Sequence, residues 1–217
     1  MTKMKLCGLF RPCDIDAANQ LKPEYIGFVF APKSRRYVTP EEAAELKKTA
    51  CSISIQAVGV FVNEAAERIA ALLNKGIIDI AQLHGVEDEN EINQLRALTD
   101  KPIIKAFCIK KSEDITNAES CLADYILLDS GEGTGTVFDW KKIQNIQRPY
   151  FLAGGLSIDN VENAVRQLNR MRSMSVQALR QMGSKIKRKW RHLLLLSERK
   201  NDYDESKRTL RDSRWTV

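Results

Sequence analysis

The chain has 217 residues, a formal net charge of +6 and a pI of about 9.1, and this length allows one domain with a sizeable core and at most a tail beside it. Its five cysteines include no CxxC pair and are accompanied by only two histidines, which argues against a disulfide framework and a zinc site and favours a reducing cytoplasm. No apolar run approaches the roughly 18 residues that a membrane span needs, and the N-terminus lacks an apolar signal core, so we expect a soluble, cytoplasmic protein.

Positive charge is concentrated at the C-terminal end of the chain. Residues 1–169 hold 20 Lys and Arg against 23 Asp and Glu, whereas residues 170–217 hold 14 against 5. The basicity that suggests a nucleic-acid partner therefore belongs to the last segment alone.

Short apolar runs alternate with amphipathic stretches, which is typical of repeated βα units around a parallel sheet. Strands are predicted over Met4–Cys7, Tyr25–Phe30, Ile55–Val62, Ile78–Leu83, Pro102–Phe107, Tyr125–Leu128 and Tyr150–Ala153. Helices are predicted over Asp14–Leu21 with Asp14 as its cap, Pro40–Lys48 after the cap Thr39, Glu64–Asn74, Glu89–Leu98, Ser112–Cys121, a stretch near Asp139 and Ser157–Leu168.

Seven such units in order predict an α/β fold, a (β/α)8 TIM barrel whose eighth unit is missing or replaced by a basic tail. We expect residues 1–169 to form the barrel and residues 170–217 to form an atypical extension, helical or disordered. This extension contains no strand-like run, and its one strongly apolar cluster is Trp190–Leu196.

Candidate site residues follow from position, because parallel barrels build their active sites at the C-terminal ends of the strands. Cys7 can act there as a base or nucleophile, or be a buried structural thiol. Asp129 can be a general acid, or cap a loop amide. Arg36 can hold an anionic group, and the pair Gly154-Gly155 can offer backbone amides to a phosphate. His84 either lines the mouth of the barrel or is structural.

The remaining thiols and loop cations lack such a placement. Cys13, Cys51, Cys108 and Cys121 are therefore expected to be buried structural thiols. Lys33 and Arg35 are expected to be solvated cations of a loop.

Six segments, in chain order, resemble phosphoribosylanthranilate isomerase, a barrel enzyme of tryptophan biosynthesis. The segments read Lys5-Leu6-Cys7-Gly8, the run from Gly27 to Tyr37, Val58 to Asn63, Gln82-Leu83-His84-Gly85, Leu127-Leu128-Asp129 with Gly133-Thr134-Gly135, and Leu152 to Leu156. The resemblance as a whole covers about residues 4 to 169.

The resemblance implies an Amadori rearrangement of N-(5-phosphoribosyl)anthranilate to 1-(2-carboxyphenylamino)-1-deoxyribulose 5-phosphate, without a metal or a cofactor. It implies that Asp129 is the general acid and Cys7 the general base. Arg36 and His84 would bind the substrate, and Gly154 and Gly155 would form part of the phosphate cradle. The only partner implied is the phosphorylated small molecule, with no nucleic acid and no membrane, and the chain would be a monomer or a homodimer.

The family's eighth strand reads approximately Ala-Val-Asp-Val-Ser-Ser-Gly-Val-Glu, and no such run follows Asn169. Our hypothesis is a lost base after Asn169. When codons are rebuilt in the shifted frame with a C restored in front, the run from Arg170 to Gly183 can be read as Pro-Tyr-Ala-Val-Asp-Val-Ser-Ser-Gly-Val-Glu-Thr-Asp-Gly. We therefore expect residues 170–217 to be frame-shifted and the chain to be poorly soluble or inactive, because two strand edges and part of the phosphate site would be lost.

Two alternatives stay open at this point. One is another phosphate-binding TIM-barrel enzyme, such as a sugar-phosphate epimerase or indole-glycerol-phosphate synthase. The other is a non-catalytic chain whose basic tail binds nucleic acid or membrane, because the region from Lys185 to Lys200 mixes cations with Trp190 and leucines.

Overall fold

Eight parallel strands close into a barrel in sequential order, with each strand hydrogen-bonded to the next and the eighth to the first. The computed structural model describes residues 3–50, 55–130, 140–156, 160–168 and 171–177. The TIM-barrel prediction is confirmed.

Strands and helices alternate through most of the described chain. The strands are β1 Lys3–Cys7, β2 Tyr25–Val29, β3 Gln56–Phe61, β4 Ile80–Leu83, β5 Ile103–Cys108, β6 Tyr125–Asp129, β7 Tyr150–Ala153 and β8 Met171–Gln177. The helices are α1 Pro12–Leu21, α2 Pro40–Lys48, α3 Ala66–Asn74, α4 Glu89–Leu98, α5 Ser112–Ser120 and α6 Val161–Gln167. A 3₁₀ helix, Trp140–Ile143, lies between β6 and β7.

Strand side chains alternate between two cores, as the period of two in a β-strand requires. The inward set fills the barrel with Tyr25, Val58, Ile80, Ile104, Ala106, Leu127, Phe151 and Ala153. The outward set packs against the helices in a larger core that includes Met4, Leu6, Ile26, Phe28 and Leu128. A closed barrel with a filled interior leaves its strand ends as the place for a site.

Helix starts follow their local chemistry. Thr39 caps α2 and Asp88 caps α4, each within a capping box, because a short oxygen-bearing side chain satisfies amides that the first turn leaves free. The prediction for α1 needs a correction, since this helix begins at Pro12 and Arg11 is its N-cap residue. Asp14 lies in the first turn instead and accepts from the backbone N–H groups of Phe10 and Arg11.

The eighth strand is the main correction to the sequence-based expectation. Backbone of Met171–Gln177 forms β8 and pairs with β1 from Lys3↔Ser173 to Cys7↔Gln177, and it also pairs with β7. The expectation that no strand follows Asn169 is therefore wrong. Parallel pairing uses the N–H and C=O groups that every non-proline residue carries. A segment whose sequence differs from that of the family's eighth strand can therefore still close the sheet.

Besides the thiol of Cys51, three sequence-based predictions fall on residues outside the described parts of the chain. They concern the glycine-rich loop Gly131–Gly135, the start of the last helix near Ser157 and the tail beyond Gln177. Among the described residues, no helix is long and apolar enough to cross a membrane.

Candidate active site

A cavity of about 450 Å³ opens at the C-terminal ends of the strands. Strand-end residues from β1, β2, β3, β4, β6 and β7 contribute to it, as does the loop after β2. Its lining consists of Cys7, Val29, Ser34, Arg35, Arg36, Val60, Gln82, His84, Leu127, Asp129 and Ala153. One open cavity thus brings together Cys7, Asp129, His84 and Arg36, four of the predicted site residues.

Cys7 is the last residue of β1 and lies in the cavity wall, partly exposed. The backbone N–H groups of Gly8 and Leu9 both donate to the carbonyl of Gly27 on β2, at 2.8 and 3.0 Å, so the chain just beyond the thiol is fixed. On β2, a Cβ at Gly27 would lie 2.8 Å from the Cys7 Sγ atom. The thiol therefore occupies room that only a glycine leaves.

Gly8 has a left-handed backbone with φ of +79°, and a Cβ there would lie 2.6 Å from Cδ of Arg36. The sequence suggested that Gly8 allows a ligand to approach the backbone. In the structure it is the Arg36 side chain that makes this close approach. Gly8 thus places the predicted base and the predicted anion-binding residue next to one another.

Asp129 ends β6, is 9% exposed and faces the same cavity. Its Oδ2 atom lies 3.5 Å from Nε2 of His84. His84 follows the last residue of β4, and its backbone N–H donates to the carbonyl of Phe61 at 2.8 Å. The carboxyl and the imidazole thus face one another across neighbouring parts of the rim.

Two residues not singled out as site residues from the sequence, Lys5 and Gln82, connect Cys7 to His84. The ammonium of Lys5 lies 3.5 Å from the Cys7 Sγ atom and donates a short hydrogen bond to Oε1 of Gln82. Nε2 of Gln82 lies 2.7 Å from Nδ1 of His84. A continuous hydrogen-bonded chain therefore runs inside the barrel from the thiol to the imidazole beside Asp129.

A signal for both residues is present in the sequence. Lys5 lies two residues before Cys7 in one strand, and Gln82 lies two before His84, so each shares a face with a predicted site residue. A lysine on the inward face of an apolar strand is unusual enough to mark a site. The strand periodicity alone places Lys5 and Gln82 on the same face as the predicted site residues.

The loop after β2 contributes cations to the cavity. Arg35 and Arg36 both line it, together with Ser34, whose hydroxyl accepts from the backbone N–H of Arg36 at 3.1 Å. Arg35 was expected to be a solvated cation only. Ser34, Arg35 and Arg36 lie in the loop after β2, so two arginines line one opening that an anionic substrate could enter.

Gly154 and Gly155 follow β7 with φ of +78° and +61°. A Cβ at Gly154 would lie 2.5 Å from Oδ1 of Asp129 and would also meet the hydroxyl of Ser130. This glycine therefore allows β7 to approach the predicted acid closely. Neither glycine belongs to the residues that line the cavity.

The other cysteines differ from one another. Cys121 is buried, and burial raises the pKa of its thiol, which suits a structural role. Cys13 and Cys108 are exposed, so the expectation of buried thiols is wrong for these two. Cys51 lies outside the described residues.

Chemically, the cavity combines a thiol and a carboxyl group that face one space from strands that are not neighbours. Such a pair can remove a proton at one atom of a small molecule while supplying one at another. Within the described parts of the chain, no group of three or more His, Cys, Asp or Glu side chains is arranged to hold a metal ion.

Known proteins match this chain in sequence and in fold. The model of the N-(5'phosphoribosyl)anthranilate (PRA) isomerase family matches residues 4–176. The N-(5'-phosphoribosyl)anthranilate isomerase of Endomicrobium trichonymphae is 39% identical over 174 residues, covering 78% of this chain and 84% of that protein. The family match extends into β8, seven residues further than the sequence segments indicated.

Solved structures agree. The crystal structure of phosphoribosyl anthranilate isomerase from Thermotoga maritima has a TM-score of 0.78 and 28% identity, and the match covers 91% of this chain and 99% of that one. A crystal structure of a phosphoribosyl anthranilate isomerase in complex with reduced 1-(o-carboxyphenylamino)-1-deoxyribulose 5-phosphate has a TM-score of 0.75 and 27% identity, with coverage of 88% and 97%. The fold, the order of the segments and the family match agree, and the chain belongs to the N-(5'-phosphoribosyl)anthranilate isomerase family of enzymes.

Proposed function

We propose that this chain converts N-(5-phosphoribosyl)anthranilate to 1-(2-carboxyphenylamino)-1-deoxyribulose 5-phosphate in tryptophan biosynthesis, with Cys7 as general base and Asp129 as general acid. The observation that carries the assignment of roles is the single cavity that both side chains line. The alternatives of another phosphate-binding barrel enzyme and of a nucleic-acid or membrane binder receive no support from the family match.

Asp129 acts first. Its carboxyl group donates a proton to the ring oxygen of the ribose, the C1–O bond breaks, and the nitrogen lone pair forms a C1=N bond. The ring oxygen leaves as the C4 hydroxyl, and the aspartate is left as the carboxylate. The carboxyl group lies in the wall of the cavity, where it can reach a bound substrate.

Cys7 acts second. Its thiolate takes the proton from C2, and the C–H electron pair forms a C1=C2 bond while the C1=N pair returns to nitrogen. The resulting enolamine gains a proton at C1 and loses one from the C2 hydroxyl, which gives the ketone. Protons balance over the whole sequence, so the rearrangement is an aldose–ketose isomerisation that consumes no oxidant or reductant.

Substrate binding is assigned to cations and backbone amides. The substrate carries a carboxylate and a phosphate, and Arg36 is positioned at the rim to pair with one of these anions. We assign His84 to the same pocket wall as a substrate-binding residue. Gly154 and Gly155 are assigned to the phosphate cradle, because they follow β7 at the C-terminal end of the barrel, where loop amides of such barrels can bind a phosphate.

The assembly and the location of the enzyme belong to the same proposal. A monomer or a homodimer would suit the reaction. We place the activity in the cytoplasm, where the thiol of Cys7 stays reduced.

Replacement of the two proposed catalytic groups tests the roles. Cys7→Ala and Asp129→Asn are each expected to lower kcat by about 10²–10⁴-fold, measured from the fluorescence change as the anthranilate derivative is consumed, while KM changes little. Cys13→Ala removes an exposed thiol on α1, away from the strand ends, and serves as the matched control, with kcat unchanged. If Cys7→Ala turns over at the unmodified rate, the assignment of the base is wrong.

A further inference from the structure

Two lysines are buried in the described part of the barrel, and their surroundings differ. Lys105 on β5 is 5% exposed and pairs with Glu87, with 2.7 Å between Nζ and Oε2. Lys5 on β1 is 0% exposed, yet no carboxylate oxygen among the described residues lies within ion-pair distance of its ammonium. A buried ammonium without a counter-ion is costly, so Lys5 calls for an anion supplied in another way.

The atoms that contact the Lys5 ammonium identify that anion. They are Sγ of Cys7 at 3.5 Å and Oε1 of Gln82. An amide oxygen carries only a partial charge, whereas a thiol can ionise fully. Because an opposite charge at this distance favours the charged form of an acid, the Lys5 ammonium favours the thiolate of Cys7, the form that a general base requires.

The same ammonium fixes the orientation of Gln82. An ammonium has donors only, so the Gln82 atom that faces it must be the oxygen, and the amide NH₂ must point the other way. That NH₂ group faces Nδ1 of His84 at 2.7 Å. Nδ1 must therefore accept, which leaves the imidazole proton on Nε2.

The consequence reaches Asp129. An imidazolium would need a proton on Nδ1, where the Gln82 amide already donates, so the charged form of His84 is disfavoured. Nε2 lies 3.5 Å from Oδ2 of Asp129. A positively charged imidazole at that place would favour the carboxylate, whereas a neutral imidazole does not add this charge.

We propose that Lys5 is a positioning residue of the isomerisation: its ammonium holds Cys7 as the thiolate and, through the Gln82 amide, holds His84 as the uncharged Nε2–H tautomer beside Asp129. One buried cation thus prepares the base and the acid at the same time. The link to catalysis rests on the proposed function, whereas the ionisation of Cys7 and the tautomer of His84 can be measured without it.

Other charged groups face the same space and must be separated from Lys5. In the described part of the cavity wall, these are Arg35 and Arg36 from the loop after β2, His84 after β4 and Asp129 on β6. The Arg36 side chain passes close to Gly8, so its guanidinium can also favour the thiolate. Variants of Lys5 and Gln82 leave all four groups in place, which attributes any change to the buried chain of contacts.

Alkylation of Cys7 across a pH series tests the first part of the proposal. Iodoacetamide reacts with the thiolate, and peptide mass spectrometry of the full chain reports Cys7 beside the exposed Cys108 as an internal reference. The alkylation midpoints of Cys7 and Cys108 are compared between the unmodified protein and the Lys5 variant. In Lys5→Met the midpoint for Cys7 moves upward by about one pH unit or more, while that of Cys108 stays.

Nitrogen-15 NMR of labelled histidine tests the second part on the unmodified full chain. The sequence contains two histidines, so His192→Gln assigns the signals. His84 is expected to show an unprotonated Nδ1 and a protonated Nε2 near neutral pH. An exchanging mixture of tautomers, or an imidazolium, would overturn the assignment even if no Lys5 variant folds.

Gln82→Met separates the two effects. It breaks the link to His84 and leaves the Lys5 ammonium beside Cys7, so the tautomer preference is lost while the alkylation profile of Cys7 stays near that of the unmodified protein. Lys105→Met, the other buried lysine, is the matched control for the loss of a buried charge in the alkylation experiment, and it should leave the Cys7 midpoint unchanged. Circular dichroism shows which variants are folded.

The outcomes distinguish this inference from the proposed function. If Cys7→Ala stays fully active but Lys5→Met still shifts the alkylation midpoint, the proposed catalytic role of Cys7 is wrong. The inferred effect of Lys5 on the Cys7 thiol is then still supported. If Lys5→Met folds and neither the midpoint nor the tautomer changes, the inference is wrong whatever the activity. If both hold, the pH at which kcat/KM rises should move upward in Lys5→Met together with the alkylation midpoint.

Discussion

Gly8 shows how one missing side chain positions two functional groups. It follows Cys7 directly, and its backbone N–H is fixed to Gly27 on β2. Its left-handed φ and the approach of Arg36 both require the absence of a Cβ. The predicted base and the predicted anion-binding residue therefore depend on the same glycine, and a methyl group here should disturb substrate binding before it disturbs the fold.

We expect Gly8→Ala to raise KM by about tenfold, because Arg36 must move and a displaced charged hydrogen bond costs about 1.5–3 kcal/mol. The left-handed backbone should lower the free energy of unfolding by about 1–2 kcal/mol as well. Gly76→Ala is the matched control, since Gly76 has φ of +70° with no atom within 4 Å of a Cβ. Steady-state kinetics and urea unfolding of both variants measure the two effects.

An equal rise of KM in both glycine variants would mean that backbone strain, and not the displacement of Arg36, is responsible. A rise confined to Gly8→Ala would assign Arg36 to binding. The comparison thus separates a local effect from a general loss of stability.

Individual site residues were predictable from the sequence to different degrees. Cys7, His84 and Asp129 end or follow apolar runs, and in a parallel barrel that position alone brings them to one rim. The function of Lys5 was not predicted, because a lysine inside a barrel gains its meaning from what surrounds it. Its partner Gln82 comes from β4, far away in sequence, and only the closed barrel brings the two together.

At the scale of elements, the loop between β4 and α4 binds three strands together. Glu87 accepts from the backbone N–H of Asn63 after β3 at 2.7 Å, from that of Gly85 after β4 at 2.8 Å, and from Lys105 on β5 at 2.7 Å. Burial raises the pKa of Glu87, but the hydrogen bonds from Lys105 and from Asn63 outweigh burial, and the net effect holds the pKa below its usual range. The rim beside His84 thus depends on a buried charge pair.

The sign of the pH dependence follows from this lowered pKa. Glu87 binds its proton more weakly in the folded chain than in the unfolded one, so its contribution is fully present above the ordinary glutamate pKa of about 4.3. It is lost as the pH falls through the lower folded value. Acid should therefore loosen this side of the rim.

We expect Glu87→Gln to lower the free energy of unfolding at pH 7 by about 3–5 kcal/mol, because Lys105 is left as an uncompensated buried charge. The deficit relative to the unmodified chain should shrink in acid, where Glu87 is itself protonated. Urea unfolding along a pH series measures both. Glu45→Gln is the control, since its pair with Lys48 is exposed and contributes about 0–1 kcal/mol; a similar deficit in both variants would contradict the role of burial.

Elements with strong local signals were predicted accurately. Helices α2 and α4 begin and end at the predicted residues, because a capping box fixes the start and the amphipathic pattern fixes the length. Strand β8 was missed for a physical reason. Its sequence Met-Arg-Ser-Met-Ser-Val-Gln has no apolar run, and the open edges of β1 and β7 determine its place through backbone pairing.

At the scale of the whole molecule, backbone pairing of β8 closes the barrel. Binding of the substrate phosphate is a separate matter. The resemblance implies that the family's eighth strand and the loop after it contribute to the phosphate site. Their amino-acid sequence is absent from this chain after Asn169. We propose that a lost base explains this difference. A closed barrel with an incomplete phosphate site would be folded but impaired.

We expect a version with the frame restored after Asn169 to exceed the present chain in kcat/KM by about tenfold or more, because each regained hydrogen bond to a phosphate contributes about 1.5–3 kcal/mol. The gain should lie mainly in KM. Kinetics of both versions, made side by side, measure it. The hypothesis of a lost base is wrong if the coding DNA has an intact frame with no missing base, or if the two versions have equal KM.

Pairing of the first strand with the last also sets when the enzyme can become active during synthesis. The edge of β1 that receives Met171–Gln177 has no partner until nearly the whole chain has left the ribosome, and such distant pairings form slowly. Cys7 and Lys5 both lie on β1, the strand whose edge is unpaired until then. The nascent chain therefore carries the proposed base on an open strand edge until Met171–Gln177 pairs with β1.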